Sequence, residues 1–418
     1  MKILFLTIGL PDMSRNGGGL YADLIHELSN HGNEVTAVAP CLEKENIGLF
    51  QEGDIRVIRV RMSEFVGDIP FYKKIIGILR MNPLYLSYCR KYLKGESFDW
   101  ILMPTPPASL VNVVEPLKNE FKAKFYIILR DIQPECRERT PIPAISKRKD
   151  LYPECLEPFP TNGLMKWYLK RVAQRSYKIA DKIGCMSIGN IDFVKSIAPY
   201  LKKDVPVLLP NWYMEPSRID GVNDYAIRKK YSLDGKVIAI FGGTIGQAQA
   251  VWNIAALAKH NLEKNDFVIL VVGRGVYKNV LKNMVERDNL TNIIILDYMP
   301  REDYEQILQT ADIGLISIDE KYKVPTCPSK IIGYMALKKP VLAMFNEGSD
   351  YGDYYMGGNV CGLWSTGLDN EKMFANFDWL YSHPEERKRM GEAGYEYFKK
   401  NFDVKVVAEE LCKQLKNG

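Results

Sequence analysis

The sequence predicts an α/β protein built from two doubly wound parallel-sheet domains that face one another across a cleft. Three observations carry this. The chain has 418 residues, 46% of them hydrophobic and 26% charged, too long for one ordinary core and too apolar to be disordered. Short β-branched runs alternate with helical stretches, and the alternation restarts near residue 235. In each half a glycine-rich loop follows the opening strand and leads into a helix.

In chain order, KILFLTI is a strand, and a helix runs from about Gly19 to Asn30. EVTAVA, IRVIRV, DWILM, KFYIIL and DKIGCMS follow as strands with helices between them. Continuous apolar strands of this kind belong to a sheet covered on both faces. From Asp204 to Asp224 the closely spaced Pro206, Pro210 and Pro216 carry no helical period and read as a connection. KVIAIFGG, FVILVVG, NIIIL, DIGLISI and PVLAMF then form the second set of strands. The helices between them lie near 250–260, 276–287, 301–310 and 329–337, and a helical tail begins at His383. The expected division is 1–210, 211–395, and a final helix over 396–418 that returns to the first domain.

Net charge is +5, and it is uneven. Up to Pro210 there are 30 Lys plus Arg against 23 Asp plus Glu, which leaves 26 against 28 of the totals of 56 and 51. The basic character therefore belongs to the first half. No run of about twenty apolar residues can span a membrane, and Ile3–Leu10, cut by Gly9 and followed by Pro11, reads as a strand rather than a secretory leader. Eight scattered cysteines with no C-x-x-C pair suit a reducing compartment, and four dispersed histidines argue against a zinc site. The expected location is cytoplasmic, with the protein held peripherally on the inner face of the plasma membrane.

Open parallel sheets bind ligands at the carboxyl ends of their strands. There, Asn16–Tyr21 (N-G-G-G-L-Y) makes Gly17, Gly18 and Gly19 candidates for a ligand contact, because glycines admit close backbone approach. The loop is not G-x-G-x-x-G and no acidic residue closes the second strand, which disfavours a nicotinamide site. In the second half, Gly242 and Gly243 of F-G-G-T-I-G-Q-A-Q offer main-chain amides to a diphosphate. Arg274 at the next strand tip and Lys278 one turn later can bind phosphate oxygens. In V-P-T-C-P-S-K the pair Pro328 and Ser329 caps a helix, which puts Lys330 in the first turn beside the positive end of the helix dipole. A bound anion would remove that conflict.

At these residues the chain resembles glycosyltransferase family 4, of the two-Rossmann-domain GT-B type. In particular it is similar to bacterial N-acetyl-fucosamine and related deoxy-amino-sugar transferases of surface polysaccharide synthesis. The resemblance covers nearly the whole length and rests on motifs in order. These are the glycine loop, L-R-D-I-Q-P-E (Leu129–Glu135), P-N-W (Pro210–Trp212), G-G-T-I-G-Q-A-Q, V-G-R-G, P-S-K-x-x-x-Y-M-A-x-x-x-P-V (Pro328–Val341) and N-V-C-G-L (Asn359–Leu363). Two departures stand out: the family's ribose-binding glutamate falls at Gly333, and the first acid of its E-x7-E pair falls at Pro325. Glu347 or Asp350 in N-E-G-S-D is the candidate replacement.

The resemblance implies a retaining, metal-independent transfer of a sugar from a UDP-sugar substrate, with no cofactor, to a lipid-linked glycan acceptor. Lys330 holds the diphosphate, and Arg130 and Asp131, at a strand end of the first domain, orient sugar or acceptor. A sugar-nucleotide epimerase of the same fold and a non-catalytic nucleotide-sugar-binding subunit are the competing readings. Nucleic acid is not an expected partner. An anionic membrane surface is, because Ile69–Gly95 carries Lys73, Lys74, Arg80, Arg90, Lys91 and Lys94 without an acid, interleaved with Phe71, Tyr72, Ile75, Ile76, Leu79, Tyr85 and Tyr92. Lys166, Trp167, Lys170, Arg171 and Arg175 extend this basic surface.

Overall fold

The computed structural model describes residues 1–14, 19–41, 46–62, 71–132, 135, 163–216, 224–246, 248–320, 322, 324–325, 327–346, 348–367 and 369–418, without the side chains of 71–76, 78, 164 and 165. The chain forms two compact units, one from Met1–Pro134, Thr161–Met214 and Val404–Gly418, the other chiefly from Glu215–Asp403.

In the first unit the strands are β1 (Lys2–Leu6), β2 (Glu34–Cys41), β3 (Gly48–Glu52), β4 (Ile55–Arg61), β5 (Trp100–Thr105), β6 (Lys124–Leu129), β7 (Lys182–Cys185) and β8 (Pro206–Leu208). They lie in the order β3-β4-β2-β1-β5-β6-β7-β8, parallel except for the β3–β4 pair. The helices are α1 (Leu20–Asn30), α2 (Phe71–Tyr92), α3 (Val111–Phe121), α4 (Gly163–Ile179) and α5 (Ile188–Ile197). The order runs outward on both sides of β1, so the switch point lies between β1 and β5. Two strands of this unit escape the sequence reading. β3 is a half-exposed antiparallel edge, and β8 is a three-residue strand inside the stretch read as a connection.

The second unit begins with α6 (Asp224–Lys230) and alternates β9 (Val237–Thr244), α7 (Val251–His260), β10 (Phe267–Arg274), α8 (Lys278–Arg287), β11 (Ile293–Leu296), α9 (Arg301–Thr310), β12 (Ile313–Ser317), α10 (Lys330–Ala336), β13 (Val341–Phe345), α11 (Tyr351–Tyr354) and β14 (Gly362–Thr366). It closes with α12 (Asn370–Ser382) and α13 (Pro384–Asn401). Its sheet is wholly parallel, in the order β11-β10-β9-β12-β13-β14, with the switch between β9 and β12. β10, β12 and β13 are buried along almost their whole length and β9 over residues 238–242, as a doubly covered sheet requires. The chain re-enters the first unit with α14 (Val404–Asn417), whose Val404, Val407, Leu411 and Leu415 join the core around Ile3, Phe5 and Leu28.

Candidate active site

In the second unit the carboxyl ends of β9 and β10 run into glycines that let two backbones touch. A Cβ on Gly273 would lie 1.8 Å from the Gly243 carbonyl oxygen, and one on Gly275 would lie 2.2 Å from that of Ile245. Gly242 has a packing reason of its own: a Cβ there would meet the Tyr304 hydroxyl at 1.9 Å. The Gly242 N–H donates to the Tyr334 hydroxyl at 3.3 Å, and that hydroxyl lies 3.2 Å from the carbonyls of both Ile240 and Leu315. Tyr334 thus ties β9 to β12 at the switch point. Gly243 is different, since its φ of 95° favours glycine and nothing lies within 4 Å of its missing Cβ. Of the two glycines, Gly243 is the one with open space above it.

Lys330 opens α10. Its Nζ sits 3.8 Å from the Phe241 ring centroid, shielded from solvent and without a hydrogen-bond partner among the described residues. Burial pulls its pKa down from 10.5 to about 7. The expected Ser329 cap is absent: the Ser329 φ and ψ are already helical and its side chain makes no capping bond. Position is fixed instead by the Tyr351 hydroxyl, which donates to the Pro328 carbonyl, and by α10 itself, where residues 331–336 are buried. The sequence motif locates the lysine, but its burial against Phe241 follows only from the fold.

Arg274 is exposed at the tip of β10, in register with Thr244, and its guanidinium lies over the Tyr298 ring at 4.5 Å. Lys278 is already engaged. Its ammonium bonds the carbonyls of Gly273 and Leu296 and the Asp297 carboxylate at 3.3, 2.9 and 2.6 Å, which ties the end of β10 to that of β11. Gly333 lies buried inside α10, and Pro325 is buried before it. Asp350 immediately precedes α11, and Glu347 lies outside the described residues.

In the first unit three separated motifs converge. Gly19 precedes α1 with φ 141°, while Gly17 and Gly18 lie outside the described residues. Arg130, just past β6, is 9% exposed; its Nη1 donates to the Leu209 carbonyl at 3.2 Å and its guanidinium stacks on Trp212 at 4.3 Å. Trp212 is fully buried and donates through Nε1 to the Leu20 carbonyl at 2.7 Å. Tyr21 packs edge-on against Trp212. Its hydroxyl pKa is raised, mainly by burial, and feels the charges of both Arg130 and Asp131. The glycine loop, the L-R-D strand end and P-N-W therefore build one cluster in which Trp212 is the platform. Trp212 and Tyr21 stood in the motifs as signatures, and their packing roles could not be read from spacing.

The basic stretches divide. On α2, Tyr85 belongs to the core: it is fully buried and donates to the Thr7 carbonyl at 2.7 Å, so it cannot serve an interface. Arg90 pairs with Glu120. Leu79 is 68% exposed and Arg80 is exposed beside it. On α4, Trp167 and Tyr168 are exposed with Lys166, Lys170 and Arg171 around them, while Arg175 pairs with Glu115. No described helix is long and apolar enough to cross a membrane. Among the described residues no three His, Cys, Asp or Glu side chains cluster to hold a metal ion.

Residues 224–397 match the family model described as glycosyl transferases group 1. A probable glycosyltransferase, WbjE of Pseudomonas aeruginosa, is 22% identical over 281 residues, 66% of this chain and 64% of that protein. Among solved structures, a sucrose-phosphate synthase from Thermosynechococcus elongatus superposes with a TM-score of 0.72 at 14% identity, covering 100% of this chain and 98% of that one. HepE of Anabaena, in complex with UDP and glucose, gives 0.65 at 15% identity over the full length of both chains. The architecture of two parallel-sheet α/β domains is that of these GT-B proteins. The family model and the relative both name glycosyltransferases, and the solved structures share the fold.

The burial of Lys330 has a measurable consequence. Unfolded, this lysine keeps its proton up to about pH 10.5, but folded it keeps it only to about pH 7. Between those values the unfolded state binds the extra proton, so this group makes stability rise with pH across that window. Lys330→Met is therefore expected to be more stable than wild type in anion-free buffer. The gain should be largest at and below pH 7 and close towards pH 10.5, read as urea midpoints at several pH values. A gain independent of pH would show that Lys330 stays charged in the fold.

Proposed function

We propose that the chain is a retaining, metal-independent glycosyltransferase of family 4 that moves a sugar, of the deoxy-amino class, from a UDP-sugar to a lipid-diphosphate-linked glycan in surface polysaccharide synthesis. The observation that carries this reading is the shielded ammonium of Lys330 on the ring of Phe241, unpartnered among the described residues, with Phe241 in the strand that runs on through Gly242 and Gly243. A diphosphate is the acceptor such a cation lacks. UDP is favoured because HepE, of the same fold, is solved with UDP.

In this reading the bond between the sugar C1 and the diphosphate oxygen breaks, and the acceptor hydroxyl attacks C1 from the same face. Its proton passes to the departing phosphate oxygen. Lys330 and Arg274 balance the charge that grows on the leaving group, so no metal is required. Arg130, held rigid by Trp212, and Asp131 orient the acceptor hydroxyl. Gly333 favours a second reading, a nucleotide-sugar-binding subunit without turnover, because no carboxylate stands where the family holds the ribose. UDP release measured with and without acceptor separates that reading, and an epimerase, from a transferase.

The exposed Trp167 and Tyr168 among the cations of α4, with Leu79 and Arg80 on α2, support docking on the anionic inner face of the plasma membrane, where the lipid-linked acceptor lies.

Three outcomes are expected. Lys330→Ala and Arg274→Ala should fold yet lose about 2.7–4 kcal/mol of transition-state stabilisation, roughly a hundred- to a thousandfold in UDP release, whereas Lys278→Ala should lose less. Turnover of Lys330→Ala within about threefold of wild type removes the lysine from the site. Activity should survive excess chelator, and complete loss restored by Mg²⁺ or Mn²⁺ overturns the metal-independent mechanism. The protein should float with anionic vesicles at low salt, and Trp167→Ser with Lys170→Glu should weaken flotation; wild type that stays in the pellet rules docking out.

A further inference from the structure

The ladder between β9 and β12 is short. It pairs Ile313 with Ala239 and Gly314 with Ile240 and ends there, although β12 runs on to Ser317 and β9 to Thr244. This is the carboxyl edge at the switch point, where open parallel sheets take their ligands. Main-chain groups beyond the ladder need partners from elsewhere, because a buried one left unpaired is costly. The Tyr334 hydroxyl supplies them. It accepts from the Gly242 N–H at 3.3 Å and donates to the carbonyl oxygen of Ile240 or of Leu315, each 3.2 Å away. The sequence makes room for it, since the Tyr334 ring crosses β12 at Gly314, where a Cβ would come within 2.3 Å of the ring.

The two β9 groups that Tyr334 holds flank one residue. The Ile240 carbonyl belongs to the peptide before Phe241 and the Gly242 N–H to the peptide after it, so one hydroxyl brackets Phe241. The Phe241 ring is the surface on which the Lys330 ammonium rests, at 3.8 Å. Lys330 and Tyr334 stand four residues apart on α10, the spacing that places two side chains on one helix face. That face therefore carries both the cation and the hydroxyl that fixes what the cation lies against. A phenylalanine at 334 would fill the same space over Gly314 and forfeit only the hydroxyl's bonds.

We infer that Tyr334 is a positioning residue for the donor diphosphate: its hydroxyl holds Phe241 and the glycines that follow it in place against Lys330. The inference rests on the reading of Lys330 as the cation that binds the diphosphate. Tyr334 is fully buried and acts through Phe241 and Gly242, so its loss should weaken the hold on the phosphates and spare the nucleoside.

The test compares dissociation constants for UDP and for uridine in four full-length proteins: wild type, Tyr334→Phe, Lys330→Met and the double variant. Tyr334→Phe should raise the UDP constant about tenfold or more and leave the uridine constant within about twofold of wild type. In the Lys330→Met background the same substitution should change UDP binding about twofold or less, because effects routed through one segment do not add. A UDP-to-uridine preference that is unchanged in Tyr334→Phe overturns the inference, and so does an equal loss in both backgrounds, which would show Tyr334 acting apart from the lysine. Tyr334→Phe that does not fold, judged by circular dichroism and its urea midpoint, also overturns it, marking the hydroxyl as structural. Wild type that binds UDP no more tightly than uridine instead defeats the diphosphate reading of Lys330 itself.

Discussion

An ammonium group withdrawn from water without an acceptor is among the more costly things a fold can hold, and the second unit holds one at Lys330, which has no partner among the described residues. Lys330 could relax by turning outward, but its backbone is fixed by α10, whose residues 331–336 are buried, and by the preceding loop that Tyr351 pins at Pro328. What faces it is the Phe241 ring, which offers the weak attraction of an aromatic face and no lone pair. Phe241 is in turn immobile because β9 is bound on both sides, by β10 along its whole length and by β12 through the ladder and Tyr334. A cation held this way keeps a fixed address with its strongest bonds still unmade, which is what preorganisation requires.

The first unit holds its buried cation by the opposite means. Arg130 is stacked on Trp212 and bonded to the Leu209 carbonyl, and Trp212 is itself tied to the start of α1. A guanidinium braced on an aromatic face is a rigid part, suited to orienting a neighbour rather than to capturing an anion. Lys278 shows the same logic within the second unit, since its three bonds to the ends of β10 and β11 make it a staple although its sequence position resembles a phosphate contact. Partnering separates these two cations from Lys330, whose ammonium has no hydrogen-bond partner among the described residues.

The fold was largely legible from the sequence because buried parallel strands announce themselves as uninterrupted apolar runs. All eleven runs read as strands lie in the two sheets. The strands that escaped, β3, β8 and β14, are short, half-exposed or edge elements, in which neither continuous apolarity nor clean alternation survives. The candidate site residues were legible as positions after strands or at helix starts. Their partners were not, because Tyr304 against Gly242, Trp212 against Arg130 and Phe241 against Lys330 are separated by roughly 60 to 90 residues in the chain. Tyr85 illustrates the reverse error: its place among cations suggested an interface, whereas a helix packed on β4 turns that residue inward.

The unusual Gly333 and the unpartnered Lys330 are two sides of one arrangement. Residues three apart on a helix share a face, so a glutamate at 333 would stand beside the lysine and offer it an acid within its own helix. Such a pair would keep the lysine charged and would also oppose an incoming diphosphate, since the anion would have to compete for the ammonium and tolerate a like charge beside it. With glycine there, nothing on the inner face of α10 competes. Gly333 therefore leaves Lys330 without an acid on its own helix face.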